Sequence, residues 1–116
     1  MTHSTLQVQE SKTGEVCVVS LAGRIDSTNA EELATHLNRL LECGEKNVLV
    51  DMKQVLYLTS AAFRALLIAR RAAQRAAARF GLCGVGGQVR ELFEIGGLMD
   101  AFTIHATCDE ALQQMG

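Results

Sequence analysis

Apolar residues recur along this chain with two periods. Near the start they fall in short strand-like runs, Leu6 to Gln9 and Glu15 to Leu21 with a Val-Cys-Val-Val centre. Ser11-Lys-Thr-Gly14, a turn composition, separates them and predicts a β-hairpin. The period then lengthens: Ala30, Leu33, Ala34, Leu37, Leu40 and Leu41 share one helical face. Asp26 or Ser27 can cap this helix and Gly44 can end it. Asn47 to Met52 is too short for a helix. Its Val-Leu-Val composition predicts a strand buried on both faces, at the centre of a sheet.

From Ala61 to Arg79 the alanines and leucines at 62, 66, 69, 73 and 77 form a continuous stripe, with Arg64, Arg71 and Arg75 opposite. The stripe predicts a helix packed on the sheet. Phe80 to Gly84 reads as a strand, Gln88 to Ile95 as a short helix with Val89, Leu92 and Phe93 inward, and Phe102 to His105 as a last strand. A terminal helix starts at Cys108. Strands and helices alternate after the hairpin, the pattern of an α/β fold with a mixed sheet and helical crossovers. No repeat, linker or low-complexity stretch interrupts residues 1–116, so a single domain is expected.

The chain has 116 residues, 48% of them apolar, no proline, and no apolar run long enough to span a bilayer. Direct membrane insertion is not expected. A domain of this length buries roughly two thirds of its unfolded surface, so neither metal nor disulfide is needed for stability. Cys17, Cys43, Cys83 and Cys108 form no CxxC pair, and Met1-Thr-His-Ser-Thr-Leu-Gln7 lacks the regions of a secretory signal. Both point to a reducing cytoplasm. A net charge of −2 argues against a nucleic-acid partner. The charge is uneven, however: Arg64, Arg70, Arg71, Arg75 and Arg79 occur between Thr59 and Phe80 without one acid.

Ser60 is the most informative residue, standing where an apolar strand gives way to the arginine-bearing helix. Its hydroxyl can cap that helix, and a phosphate added there would meet unpaired N–H groups and the positive end of the helix dipole. Ile68 lies between Arg64 and Arg71 by helical angle, the composition of a small docking spot for an acidic-rimmed partner; the bland alternative is a solvated face. Other chemistry is thinly represented. Gly84-Val-Gly-Gly-Gln-Val89 lacks the third glycine of a dinucleotide loop. His105 and Cys108 make one ligand pair, but His3, His36, Cys17, Cys43 and Cys83 supply no second at metal-site spacing, so no cofactor is expected. Ser60 sits in no Gly-x-Ser-x-Gly elbow, and no enzyme activity is expected.

Four strings in order resemble the STAS domain of bacterial anti-sigma factor antagonists. They are Leu21-Ala-Gly-Arg-Ile-Asp26 with Ala30-Glu-Glu-Leu33; Val48-Leu-Val-Asp51 with Val55-Leu-Tyr-Leu-Thr-Ser-Ala-Ala-Phe-Arg-Ala-Leu-Leu67; Leu92-Phe-Glu-Ile-Gly-Gly-Leu98; and Asp109-Glu-Ala-Leu112. The resemblance implies a β-β-α-β-α-β-α-β-α order with a mixed sheet. It also implies a function: the unphosphorylated form binds an anti-sigma factor with a histidine-kinase-like ATPase fold, which is also its kinase, and so frees the sigma factor. Phosphorylation switches binding off, and a serine phosphatase restores it.

Carried over by position, the phosphoacceptor falls on Ser60, preceded by Thr59, and Asp26 takes the acidic place in the first loop of the same surface. Ala61, Phe63, Arg64 and Ile68 complete the implied partner-binding set. Where the family has Gly-Leu, this chain has Ala62-Phe63, a methyl and an aromatic expected at the partner surface, where they could alter partner choice. The alternative within the family is a constitutively docking STAS subunit of a lipid transporter or stress-signalling complex. Monomer and weak dimer both remain open.

Overall fold

The computed structural model describes residues 5–115; His3 and the first residues of the N-terminal stretch lie outside them. Strands β1 (Leu6–Thr13), β2 (Val16–Ile25), β3 (Asn47–Leu58), β4 (Arg79–Cys83) and β5 (Thr103–His105) form one sheet in sequence order. β1 runs antiparallel to β2, and β2 to β5 are mutually parallel. The crossovers contain α1 (Ala30–Glu42), α2 (Ser60–Arg75) and α3 (Gly87–Ile95), with a 3-10 turn at Met99–Ala101, and α4 (Cys108–Met115) closes the chain. The mixed α/β architecture expected from the alternating pattern is the one observed, with β3 at the centre.

Strand periodicity divides the core into two layers. Cys17, Val19 and Leu21 of β2, Val48, Val50 and Met52 of β3 and Leu82 of β4 turn to the face covered by α1, α2 and α3. Val16, Leu49 and Cys83 turn to the other, where Ala111 and Met115 of α4 cover them. The first layer is much the larger.

Several boundaries differ from the sequence reading. The hairpin turn is only Gly14 and Glu15, because Thr13 still pairs with Val16; Ser11 and Lys12 belong to an exposed edge strand, where polar side chains are at home. β3 continues past Met52 to Leu58, since β2 still offers partners up to Ile25 after β4 has ended opposite Asp51. The polar Lys53 and Gln54 are tolerated there because they are exposed. α2 ends at Arg75, four residues early. Ala77 takes a left-handed φ of 55° while the Ala78 N–H reaches back to the Ala73 carbonyl at 2.8 Å, closing the helix. Ala77 is therefore exposed and no part of the buried stripe, which Ala65 joins instead.

The cysteines also differ from expectation. Cys83, at the end of β4, and Cys108, at the start of α4, are joined in a disulfide across 25 residues of sequence. Sequence spacing cannot reveal such a pair, because the fold alone brings the two ends together. Cys17 and Cys43 are free thiols, the first buried and the second exposed.

Candidate functional site

The site is built where β2 and β3 end side by side and release α1 and α2. Ile25 pairs with Leu58, and the next residue on the β3 side, Thr59, keeps the connection: its N–H donates to the Ile25 carbonyl at 3.0 Å. Its hydroxyl lies 3.4 Å from the same oxygen. Thr59 is the N-cap of α2, with extended backbone and no capping bond from its side chain, and Ser60 is the first helical residue. The capping place expected for Ser60 is thus taken by its neighbour, and the exposed Ser60 hydroxyl is not engaged in a cap.

Helix starts have N–H groups without intrahelical acceptors. Those of Ala62 and Phe63 turn back to the Thr59 carbonyl at 3.0 and 3.3 Å, leaving those of Ser60 and Ala61 for an outside acceptor. The first turn of α2 carries no acid, and Arg64 follows Ser60 by four residues, on the same helix face.

The opposite wall is made by the loop into α1. The Asp26 carbonyl accepts from the N–H groups of Asn29 and Ala30 at 3.2 and 2.9 Å, while its carboxylate accepts from the Thr28 hydroxyl and, at 2.9 Å, from the Thr28 N–H. The Thr28 hydroxyl, then the Thr28 N–H and the nearby Arg24, hold the Asp26 carboxyl below the usual carboxylate range. Neither Asp26 nor Ser27 is the N-cap of α1. That place belongs to Asn29, whose side chain is committed elsewhere: its Oδ1 accepts from the Asp26 N–H, and its Nδ2 donates to the Arg24 carbonyl and the Thr5 hydroxyl, all at 3.0 Å.

Asn29 is 4% exposed and is the residue the sequence reading missed. In Ser27-Thr28-Asn29 it looks like loop composition, and only the fold shows one amide tying three segments together. Gly23 completes this corner. It has φ of +108°, and a Cβ there would lie 2.1 Å from the Thr5 carbonyl oxygen.

Between the walls lies a groove of about 450 Å³. Of the residues expected to bind a partner, Ser60, Ala61, Arg64 and Ile68 line it, facing Ser27, Ala30, Glu31 and Ala34 across from them. The rim is thus anionic at Glu31 and cationic at Arg64. Ile68, 44% exposed, also lines a second hollow further along the same two helices, with Leu41, Ala72 and Arg75.

The remaining expected residues point elsewhere. The Asp26 carboxylate is turned onto Thr28, and Thr59 faces Ile25. Phe63 is half-buried with its ring edge-on to Phe93 at a centroid distance of 4.9 Å, and Phe93 in turn meets Phe102 at 5.9 Å. Ala62 is fully buried. The Ala62-Phe63 pair expected at the surface therefore packs inward: positions two and three residues beyond Ser60 rotate toward the sheet and α3.

A profile of the STAS domain matches residues 7–111. The chain belongs to the STAS domain family. BtrV of Bordetella bronchiseptica, named as a candidate anti-sigma factor antagonist, is 28% identical to this STAS domain over 99 residues, covering 85% of each chain. The crystal structure of an anti-sigma factor antagonist from Mycobacterium paratuberculosis superposes with a TM-score of 0.85 at 23% identity, over 95% of this chain and 93% of that one. The anti-sigma factor antagonist SpoIIAA in its unphosphorylated form superposes with a TM-score of 0.78 at 22% identity, over 93% and 95% of the two chains. The phosphorylated form of Bacillus SpoIIAA gives 0.72 at 20% identity, over 95% and 100%. The fold of this STAS domain is that of these proteins. Among its described residues, no helix is long and apolar enough to cross a membrane.

Proposed function

We propose that this STAS domain is an anti-sigma factor antagonist whose docking is governed by phosphorylation of Ser60. In the unphosphorylated state the groove between α1 and α2 receives an anti-sigma factor of histidine-kinase-like ATPase fold, and the sigma factor is released. The same partner transfers phosphate to Ser60, and a serine phosphatase reverses the change. The names borne by BtrV and SpoIIAA support the class of function, and the two forms of SpoIIAA support the kind of switch.

The observation that carries this reading is the position of the Ser60 hydroxyl: exposed, first in its helix, beside two uncommitted N–H groups and on the wall of a half-apolar groove. A phosphoserine adds about −1.5 to −2 charges and three acceptor oxygens. The helix start and Arg64 can receive them without unfolding the domain. A partner packed over Ser60 would instead have to desolvate that charge, and a loss of ~3 kcal/mol weakens binding more than a hundredfold.

The test is a pull-down from the native cell comparing wild type, Ser60→Ala and Ser60→Asp. Ser60→Ala should retain an anti-sigma factor that Ser60→Asp loses. Equal recovery by both would replace this reading with constitutive docking.

A further inference from the structure

The two cysteines that the sequence leaves unpaired meet where the smaller core layer begins. We propose that Cys83 and Cys108 are a reversible thiol–disulfide modification site that sets how firmly α4 is held to the sheet. The inference does not depend on the role of Ser60.

The geometry suits both oxidation states. The Cα atoms are 5.1 Å apart, a separation at which a disulfide forms without moving backbone. Cys83 is fully buried as the last residue of β4, and Cys108 is half-buried as the first of α4. The Cys108 sulfur is thus the one an external reagent reaches. In the forward direction the Cys108 thiolate attacks a low-molecular-weight disulfide such as oxidised glutathione, forming a mixed disulfide and expelling one thiol. The Cys83 thiolate then attacks the protein sulfur of that bond and expels the second. Two protein thiols become one disulfide, the small disulfide becomes two thiols carrying the two protons, and the electrons balance.

Asp51 stands beside the pair. Asp51 is 7% exposed, and its carboxylate lies within 4.8 Å of both sulfurs and is held by the Lys53 N–H at 3.0 Å and the Lys53 ammonium at 3.4 Å.

The bond matters because the rest of the attachment is thin. α4 has eight residues, of which only Ala111 and Met115 are buried, against five buried residues in each of α1 and α2. A hydrogen bond from Arg79 to the Gln114 carbonyl at 3.0 Å secures the far end. So short a helix does not persist without tertiary support. Reduction therefore loosens α4 locally while the larger layer under α1, α2 and α3 stays intact.

The test equilibrates the whole chain with reduced and oxidised glutathione over a range of ratios, traps free thiols, and reads peptide linkage by mass spectrometry and amide exchange by hydrogen–deuterium labelling. A linked Cys83–Cys108 peptide should appear in one two-electron transition. Amides of α4 should exchange at least about tenfold faster in the reduced chain, with α1 and α2 unchanged. Cys108→Ser, at the half-buried position, should show the reduced pattern at every ratio. Free thiols in the most oxidising mixture, or equal α4 exchange in both states, would overturn the proposal. So would a stoichiometric zinc ion retained by the reduced chain, since Asp51 and the two thiolates would then be a metal site.

Discussion

The Thr59 N–H and the Ile25 carbonyl are joined at 3.0 Å, so the residue before Ser60 is fastened to the residue before Asp26. Two loops distant in sequence thereby become one rigid rim, and α1 and α2 leave it at fixed spacing. Ser60 presents its hydroxyl from a helix end that is already ordered. A phosphate added there, as proposed, would alter surface charge more than internal structure, as the rim is held by backbone bonds that do not involve the Ser60 side chain.

That rim depends on Gly23. A Cβ there would overlap the Thr5 carbonyl oxygen, and the left-handed φ disfavours any other residue. Gly23→Ala should lower the unfolding free energy by about 2–4 kcal/mol. Urea denaturation measures this, and a loss below ~0.5 kcal/mol would show that the corner yields easily.

The opposite change is expected at Ala77. Its φ of 55° suits glycine, and no large side-chain packing is lost at this exposed site. Ala77→Gly relieves the left-handed strain and gives back part of the gain as unfolded-chain entropy. The net expectation is stabilisation by about 0.5–1 kcal/mol, read as a higher urea midpoint at unchanged slope.

Asp26 gives a pH dependence of known sign. Thr28 holds its carboxyl below the ordinary range, so the folded state favours the carboxylate. Its contribution is fully present above the unfolded carboxyl value of about 4 and is lost as pH falls through the lower folded value. The stability difference between wild type and Asp26→Asn should stay constant from neutral pH down to about 4 and shrink below it. A difference that instead closes between pH 7 and 5 would assign the effect to another group.

Arg71 and Arg75 are exposed on α2, and Arg75 lines the second hollow together with Ile68. If an acidic-rimmed partner docks there, reversing both charges should slow association by about tenfold at low salt and have little effect on dissociation. An unchanged association rate at low ionic strength would reduce these arginines to a solvated helix face.

The chain makes its fold legible through local periodicity. Val48-Leu-Val-Asp51 reads as a central strand because both faces are apolar, and the Ala62 to Ala73 stripe reads as a packed helix because its spacing admits nothing else. Ser60 is legible for the same reason, as the residue at which one period yields to the other. What escapes is set by tertiary contact. Asn29 is a polar residue buried by three segments, and nothing in its neighbours announces that. Phe63 looks like surface until Phe93 claims its ring. Cys83 and Cys108 become partners only when α4 returns to the sheet, and Ala77 ends α2 early without the glycine that would have signalled a stop.

The most direct measurement is equilibrium binding of the purified chain to the anti-sigma factor proposed as its partner, with Ser60 unmodified, phosphorylated, and replaced in Ser60→Ala. Unmodified chain and Ser60→Ala should bind within a few-fold of each other, and the phosphorylated chain should bind more than about a hundredfold more weakly. Equal affinity of phosphorylated and unmodified chains would contradict the account.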